Sequence, residues 1–304
     1  MDAAPGVSSA HAELDDYSWA LLSHPGKVRD DNEDFVGAYA PADLTQHSPL
    51  FVVADGMGGH AAGEVASRLA VETVLQSWTA STATRPHQAL RGAVRGANAA
   101  VFSASLDRET HGMGTTCVSL ALVDGEALVA NVGDSRCYLV RRRQCSQVTS
   151  DHSRVGEMVR MRLITPEQAA SHPARSQLTR SLGGEPGVQV DLFRNPLLPG
   201  DAFVLCSDGI WDLVSRAEIA QAVSLPTAED AAERMVGLAL DRGAPDNVTV
   251  VAVQMSRHLT TAASEPAAGA GSFLSALRDR FAGRGVLHEP APVTDDDAAD
   301  GPAV

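Results

Sequence analysis

Four segments of the chain place an aspartate at the boundary of an apolar, strand-like run. Aspartate is a poor strand residue and is costly to bury without a partner. Carboxylates gathered at the edge of a sheet would repel one another, so the pattern predicts a site that holds cations. The four residues are Asp55 in VVADG, Asp134 in ANVGDS, Asp208 in LCSDG and Asp246 in APDN. A fifth acidic cluster, RDDNEDF, contains Asp30, Asp31, Glu33 and Asp34.

These acidic residues provide a set of oxygen ligands. Mg²⁺ and Mn²⁺ bind carboxylate, carbonyl and water oxygens, whereas histidine and cysteine, which suit zinc, are not prominent in these segments. Gly56 would let its backbone carbonyl approach a metal ion closely. Each Asp-Gly pair taken alone is also typical of an ordinary turn. That alternative gives no reason for the recurrence of the pattern, so we favour the metal site.

Arg29 lies at the start of the acidic cluster, and its planar fork could donate to two oxygens of an anionic group at once. Two metal ions about 3.5–4 Å apart can share a bridging water and lower its pKa, which produces hydroxide near neutrality. That hydroxide can attack phosphorus in line while the metals and Arg29 offset the phosphoryl charge. From the residues alone, a surface salt bridge with Asp30 or Asp31 is the favoured interpretation of Arg29.

The strand-like runs that carry these residues follow one another with short connections. Asp124-Gly125 lies between two β-rich runs and predicts a hairpin turn. Consecutive strands joined in this way indicate an antiparallel sheet and not a series of parallel βαβ units. The predicted strands span 51–55, 115–125, 126–134, 136–142, 201–209 and 247–255.

Helical patterns separate and follow these strands. The last helix has Thr227 at a plausible N-cap, acidic residues in its first turn and Gly243 at its end. Residues 152–173 predict one or two short helices broken at Pro166, and we interpret this segment as a surface flap. The other predicted helices span 63–78, 87–105, 216–223 and 227–243.

The composition limits the organisation of the chain and the class of protein. We expect a loose arm over 1–14, one domain over 15–258, and a flexible acidic tail over 259–304 with a short amphipathic helix at 272–281. The net charge of −14 argues against a general nucleic-acid or membrane-surface binder. No apolar run reaches the ~18 residues of a membrane span, and no signal-peptide pattern is present. We therefore expect a cytoplasmic protein.

The ordered motifs of the chain resemble a known family. In their order and spacing they are similar to the bacterial form of the PPM/PP2C family of metal-dependent Ser/Thr protein phosphatases. The resemblance extends from about Trp19 to Gln254. It implies an α+β fold in which an antiparallel β-sandwich is flanked by helices on both faces. The motifs are GKVRDDNED, VVADGMGGHAAGE, GTT, NVGDSR, SDHS, LTRSLG, LCSDGIWD and PDN.

The resemblance implies the ligands of two metal ions. Asp55 would bridge the two ions. Asp208 and Asp246 would complete one site, and Glu33 would complete the other together with the backbone carbonyl of Gly56.

The resemblance also implies roles around these two ions. Asp34 would hold metal-bound water, and Asp134 would join Asp208 at a third, looser metal site. Arg29 matches the arginine that binds the substrate phosphate. We accordingly take Arg29, Asp55 and Asp208 as the catalytic residues, with Arg29 also binding substrate.

One position departs from the eukaryotic members of the family. They carry a histidine directly after the Asp-Gly pair, and it has been proposed as the acid for the leaving group, whereas this chain has Met57. We interpret His60 and His152 as structural residues, with substrate contact as the alternative for His152. The acid for the leaving group is therefore open, and metal-bound water could serve.

Together these features predict an enzyme that hydrolyses phosphoserine and phosphothreonine with Mn²⁺ or Mg²⁺, using two core ions and optionally a third. We expect it to act as a monomer on phosphorylated proteins, among them a Ser/Thr kinase of the same cell, without nucleic-acid binding or membrane insertion. The alternative is a non-catalytic phosphoprotein-binding module on the same fold. That alternative would require a damaged set of metal ligands, and every ligand position is present.

Overall fold

The computed structural model describes residues 7–41, 48–58 and 62–257. Its strands are β1 (Ser8–Glu13), β2 (Tyr17–His24), β3 (Asp34–Tyr39), β4 (Leu50–Met57), β5 (Gly114–Thr115), β6 (Cys117–Val123), β7 (Glu126–Val132), β8 (Arg136–Arg141), β9 (Gln144–Gln147), β10 (Asp191–Pro196), β11 (Ala202–Cys206) and β12 (Val248–Met255). Its helices are α1 (Ala62–Thr79), α2 (Pro86–Ala104), α3 (Arg154–Arg160), α4 (Pro166–Ala170), α5 (Asp208–Trp211), α6 (Arg216–Ala222) and α7 (Ala228–Asp241).

The strands of the described residues form two antiparallel sheets. The first sheet has the order β1-β2-β12-β11-β8-β9, and the second has the order β10-β7-β6-β4-β3, with β5 added beside β4. In the first sheet, β2 pairs with β12 along its full length, from Tyr17 opposite Met255 to His24 opposite Val248. An early and a late segment of the chain therefore lie side by side in the middle of this sheet.

Three apolar layers hold the sheets and helices together. The layer between the sheets includes Phe51, Leu120 and Phe203, all fully buried. An outer layer under α1 and α2 covers the second sheet, and another under α6 and α7 covers the first. Because strand side chains alternate between faces, each sheet contributes to two of the layers. The antiparallel β-sandwich with helices on both faces, expected from the sequence, is confirmed.

Local sequence signals account for several element boundaries. The side-chain hydroxyl of Thr227 accepts a hydrogen bond from the backbone N–H of Asp230, which caps α7 as predicted. Asp124 and Gly125 both have positive φ angles and connect β6 to β7, as expected for a two-residue hairpin turn.

The structure corrects part of the expectation of a loose N-terminal arm over 1–14, of which residues 1–6 lie outside the described residues. Residues Ser8–Glu13 form β1, which pairs in register with β2. Their side chains are mostly exposed, so the small polar composition that suggested a loose segment reflects an edge strand held by backbone hydrogen bonds. A second difference concerns the predicted strand at 201–209, because the strand ends at Cys206 and Asp208 begins α5.

The predicted flap at 152–173 contains two short helices, α3 and α4. Pro166 occupies the first turn of α4 and follows a Thr165 N-cap, so it starts a helix where the sequence suggested a break. The predicted tail over 259–304 and its helix at 272–281 lie outside the described residues. Among the helices of the described ranges, none is both long and apolar enough to span a membrane.

Candidate metal centre

Two aspartates meet where β3 begins and β4 ends. Asp34 is the first residue of β3, and in the antiparallel register it lies directly opposite Asp55. Like charges directly opposite each other destabilise a pair of strands. The fold nevertheless places both carboxylates at the same edge, as expected for a site that gathers negative charge.

Two further aspartates reach this edge from the other sheet. Asp208 starts α5 just after β11, and Asp246 lies just before β12, the antiparallel neighbour of β11. Ser207 connects the two sheets, because its hydroxyl donates to Asp34 Oδ2 over 2.7 Å and accepts from the backbone N–H of Thr249 over 3.1 Å. The carboxylates of the two sheets are thereby held at one end of the sandwich.

Gly56 and Glu33 are packed against each other and against α1. The backbone N–H of Gly56 donates to the carbonyl of Glu33 over 3.1 Å. A Cβ atom on Gly56 would lie 2.1 Å from the carbonyl oxygen of Gly63 and 2.6 Å from that of Glu33, so no larger residue fits. The hydroxyl of Ser67 in α1 also donates to the Glu33 carbonyl. The glycine is thus required by close backbone contact on this side of the site.

Buried hydroxyl groups fix the backbone of Asp55. The Asp55 N–H donates to Thr116 Oγ1, and the Thr115 hydroxyl donates to the Asp55 carbonyl, both over 2.9 Å. Thr116 Oγ1 also shares a 2.6 Å hydrogen bond with the hydroxyl of Ser135, which follows Asp134. These contacts tie the end of β4 to the loop after β7, and Asp55 and Asp134 are therefore held by one network.

Asp134 is a buried carboxyl that lies two residues before a basic side chain. The neighbouring Arg136 instead binds Asp151 through two nitrogens, and its guanidinium lies 3.7 Å from the ring centre of Trp211. Burial, and then the charge of Asp151, raise the pKa of Asp134 to about 7. Because burial and a nearby negative charge disfavour the ionised form of this carboxyl, a cation bound beside it would stabilise that form.

Burial and mutual repulsion also act on the other carboxyls of the site. Burial is the largest cause that raises the pKa of Asp55 well above its usual value, followed by the charges of Asp34 and Asp208. The pKa of Asp208 is raised in the same way, by burial and then by Asp134 and Asp246. Burial raises the pKa of Asp34 to about 6, although hydrogen bonds from neighbouring hydroxyl groups lower it. Burial raises the pKa of Glu33 as well.

Arg29 lies beside these carboxylates and forms an ion pair within the site. Its Nη2 is 2.9 Å from Asp246 Oδ2, and half of the Arg29 side chain is exposed. The alternative of a salt bridge with Asp30 or Asp31 is therefore replaced by a contact with a predicted metal ligand. Because the side chain is accessible from solvent, its remaining donors can reach a phosphate group.

The residues present fit a hard divalent cation by their chemistry. In the described ranges, no group of three or more His, Cys, Asp or Glu side chains has the geometry of a formed metal site. Burial first, and then the charges of neighbouring carboxylates, raise the pKa of Asp55 and Asp208, and a bound cation would offset both effects. The donor set consists of oxygens, which suits Mg²⁺ or Mn²⁺.

The structure gives the surroundings of one of the two histidines. His152 is buried, accepts from the Gly133 N–H over 3.0 Å at Nδ1, and lies 3.0 Å from Asp191 at Nε2, which confirms a structural role. His60 lies outside the described residues. Met57, in the position of the histidine of the eukaryotic members, is the last residue of β4.

Sequence reasoning gave no role to three polar residues that support the site. They lie inside the motifs GTT, LCSDG and PDN, so the motifs themselves contained the signal. Their contacts join segments that are far apart in the sequence, and the motifs alone do not specify such contacts. The three residues are Thr116, Ser207 and Asn247.

Comparisons with known proteins identify the family and the fold. Residues 26–239 match the family described as Protein phosphatase 2C. The chain is 37% identical over 235 residues to the Serine/threonine phosphatase stp of Listeria monocytogenes. The aligned region covers 75% of this chain and 92% of that protein. The crystal structure of the Mycobacterium tuberculosis serine/threonine phosphatase PstP/Ppp matches with a TM-score of 0.72 at 38% identity, covering 79% of this chain and 99% of the other. The catalytic domain of PstP in complex with two manganese ions matches with a TM-score of 0.70 at 36% identity, with the same coverage of 79% and 99%.

Proposed function

Since the chain belongs to the protein phosphatase 2C family, we propose that it hydrolyses phosphoserine and phosphothreonine in proteins at a centre of two Mn²⁺ or Mg²⁺ ions. The single observation that carries this proposal is the meeting of carboxylates from both sheets at one edge. Asp34 and Asp55 lie opposite each other there, and Asp208 and Asp246 reach the same edge from the second pair of strands.

The residues around this edge would hold the ions as follows. Asp55 would be shared between the two sites, with Asp208 and Asp246 on one side and Glu33 and the Gly56 carbonyl on the other. When bound, the two ions would supply an activated water and positive charge at the phosphoryl oxygens.

Two more carboxyls are close enough in the fold to support this pair of sites. Asp34 accepts from Ser207 and can orient water beside Asp55. Asp134 is joined to the backbone of Asp55 through Ser135 and Thr116, so it is the candidate ligand of a third ion together with Asp208.

Arg29 would bind the phosphate of the substrate. Its guanidinium has several N–H donors in a rigid fork, and one of them is used by Asp246. The remaining donors can hold two phosphoryl oxygens and orient phosphorus toward the ions. The ion pair with Asp246 keeps the arginine at the edge of the metal centre before substrate arrives.

Further parts of the proposal concern the setting of the enzyme. Its partners would be phosphorylated proteins, including a Ser/Thr kinase that it opposes, and it would act as a cytoplasmic monomer. The net charge of −14 supports a partner other than nucleic acid.

The experiment that tests this function is phosphate release from a phosphothreonine peptide, measured with and without Mn²⁺. We expect metal-dependent turnover that falls at least about a thousandfold in Asp208→Ala, because oxygen-ligand and electrostatic stabilisation at such centres contributes several kcal/mol. Asp241→Ala is the matched control, since Asp241 is exposed at the end of α7. A folded wild-type protein that releases no phosphate with either ion would favour the phosphoprotein-binding alternative.

A further inference from the structure

Asn247 lies next to the predicted ligand Asp246, and its side chain is buried against the segment Pro25–Glu33. This segment, which we call the arginine loop, contains Arg29. We propose that Asn247 is a positioning residue that fixes the arginine loop, and with it Arg29, relative to the predicted metal ligands. The inference rests on the proposed function, because it concerns how that site binds phosphate and metal.

The side-chain amide of Asn247 holds the arginine loop near both of its ends. Nδ2 donates to the carbonyl of Pro25 and to the carbonyl of Asp31, each over 2.9 Å. Oδ1 accepts from the backbone N–H of Glu33 over 2.8 Å. Arg29 lies between these attachment points, so the amide fixes the part of the chain that carries the guanidinium.

The chemistry of these contacts requires an amide side chain. A carboxylate of the same shape could accept from Glu33 but would place an oxygen against the carbonyls of Pro25 and Asp31. An apolar side chain would leave all three backbone groups without this partner, and an unpaired buried polar group costs roughly 1–3 kcal/mol. Both of the donor hydrogens of Asn247 and its acceptor are used within one loop.

Other contacts bring the same two segments together. The Lys27 N–H donates to the carbonyl of Ala244 over 2.9 Å. Gly26 has a φ of +84°, and a Cβ atom there would lie 2.2 Å from the carbonyl oxygen of Asp246. The Arg29 side chain pairs with the Asp246 carboxylate. The arginine loop is therefore packed directly on residues 244–247, and a displacement of Asn247 would move Arg29 and Asp246 relative to each other.

A consequence for both ligands of the site follows from this arrangement. Without the amide, the arginine loop would sample positions in which Arg29 no longer meets a phosphate group placed at the proposed metal centre. The backbone N–H of Glu33 would lose its partner, so the Glu33 carboxylate would be less firmly positioned to bind a metal ion. Loss of Asn247 should therefore weaken the binding of phosphate and of Mn²⁺, beyond any change in the stability of the protein.

The test compares Asn247→Ala with Asn98→Ala in the full chain. Asn98 is a suitable control because it is also buried and also joins two backbone groups, donating to the Glu185 carbonyl and accepting from the Gly183 N–H, each over 3.0 Å. Titration calorimetry measures the binding of Mn²⁺, and then of inorganic phosphate to the Mn²⁺-loaded protein. Thermal unfolding and the KM and kcat for a phosphothreonine peptide complete the comparison.

We expect Asn247→Ala to raise the phosphate Kd and the KM about tenfold, which corresponds to ~1.4 kcal/mol, and to raise the Mn²⁺ Kd severalfold. The kcat should change less than the KM, because the ions and their ligands remain. Asn98→Ala should lower the unfolding temperature and leave both binding constants within about twofold. Phosphate and Mn²⁺ affinities in Asn247→Ala that match those of wild type would overturn the proposal.

A second variant keeps the test decisive if Asn247→Ala does not fold. Asn247→Asp retains the acceptor for Glu33 and loses both donors, so it should show the same rise in the phosphate Kd. If neither variant folds under conditions where Asn98→Ala does, Asn247 has a role in stability alone and the proposal is wrong. A wild-type protein that binds Mn²⁺ and phosphate but releases none from the peptide would contradict the proposed function, while the two binding constants still decide the role of Asn247.

Discussion

Asp34 and Asp55 are held opposite each other by the register of β3 and β4, and burial is the largest cause that raises the pKa of each. Hydrogen bonds from Ser207 to Asp34 and from the Asp55 backbone to Thr116 resist the separation that repulsion would favour. At the scale of single residues, the site is therefore an arrangement of like charges that a cation would stabilise.

The packing around Gly56 leads to a prediction about one methyl group. Gly56→Ala should destabilise the fold by more than about 2 kcal/mol or abolish metal binding, because backbone oxygens occupy the space that Cβ would need. Gly237→Ala is the matched control. It lies in α7 with open space around it, and it should stabilise by about 0.5–1 kcal/mol. Urea denaturation measures both changes, and a Gly56→Ala protein with wild-type stability and Mn²⁺ affinity would contradict the prediction.

The sequence indicated which residues could carry the chemistry more fully than it indicated their contacts. Acidic residues at strand ends are visible as a pattern, whereas the partner of Arg29 is not. Asp30 and Asp31 are its neighbours in the chain, but the ion pair forms with Asp246, which β12 brings to the site from 217 residues away. Such contacts depend on the pairing of strands, and one chain segment contains no information about its distant partner.

The N-cap of α7 is the hydroxyl group of a single threonine. Thr227 accepts from the Asp230 N–H through its hydroxyl over 3.0 Å, and α7 packs on the first sheet through residues that include Met235 and Val236. Thr227→Ala should lower the free energy of unfolding by about 1 kcal/mol, because it leaves a helix N–H without its cap. Thr227→Ser keeps the hydroxyl and should change it by much less. Equal losses in the two variants, measured by urea denaturation, would show that the hydroxyl does not act as the cap.

Elements with strong internal signals were predicted, and those that depend on their neighbours were not. The predicted helices correspond to α1, α2, α6 and α7 within a residue or two at most ends. By contrast, no strand was predicted for the segments of β1, β2, β3, β9 and β10. The strand β3, with sequence DFVGAY, contains an aspartate and a glycine, which disfavour strands, and β10 ends in a proline. These segments become strands because a neighbouring strand offers its backbone hydrogen-bonding groups.

At the scale of the whole molecule, the buried carboxyls make stability depend on pH. Asp34 and Asp134 have folded-state pKa values raised to about 6 and about 7, so the folded protein binds their protons more tightly than the unfolded chain does. Their contribution to the free energy of unfolding is therefore highest at low pH, and it is lost as the pH rises from about 4 to about 7. His24 acts in the opposite direction, because burial lowers its pKa.

We accordingly predict that Mn²⁺ stabilises the protein more at pH 7 than at pH 5. At pH 7 the carboxyls hold fewer protons than at pH 5, so a bound cation offsets more of their repulsion, whereas at pH 5 protons compete more strongly with the cation. Calorimetric unfolding temperatures with Mn²⁺ and with a chelator, at pH 5, 6 and 7, measure the difference. Asp134→Asn removes one titrating group and should flatten the metal-free pH dependence between 5 and 7. An Mn²⁺ effect that is equal at all three pH values would contradict the prediction.

The pairing of β2 with β12 has a consequence for how the protein is made. A growing chain presents β2 to the solvent early in synthesis, but its partner over Val248–Met255 leaves the ribosome only after more than two hundred further residues. Until then the first sheet lacks a central strand, and Asp246 and Asn247 are absent from the site. We therefore expect nascent chains to have no early interval of phosphatase activity, and a product that stops before β12 to be bound by chaperones or degraded by proteases and not to act as a weaker enzyme.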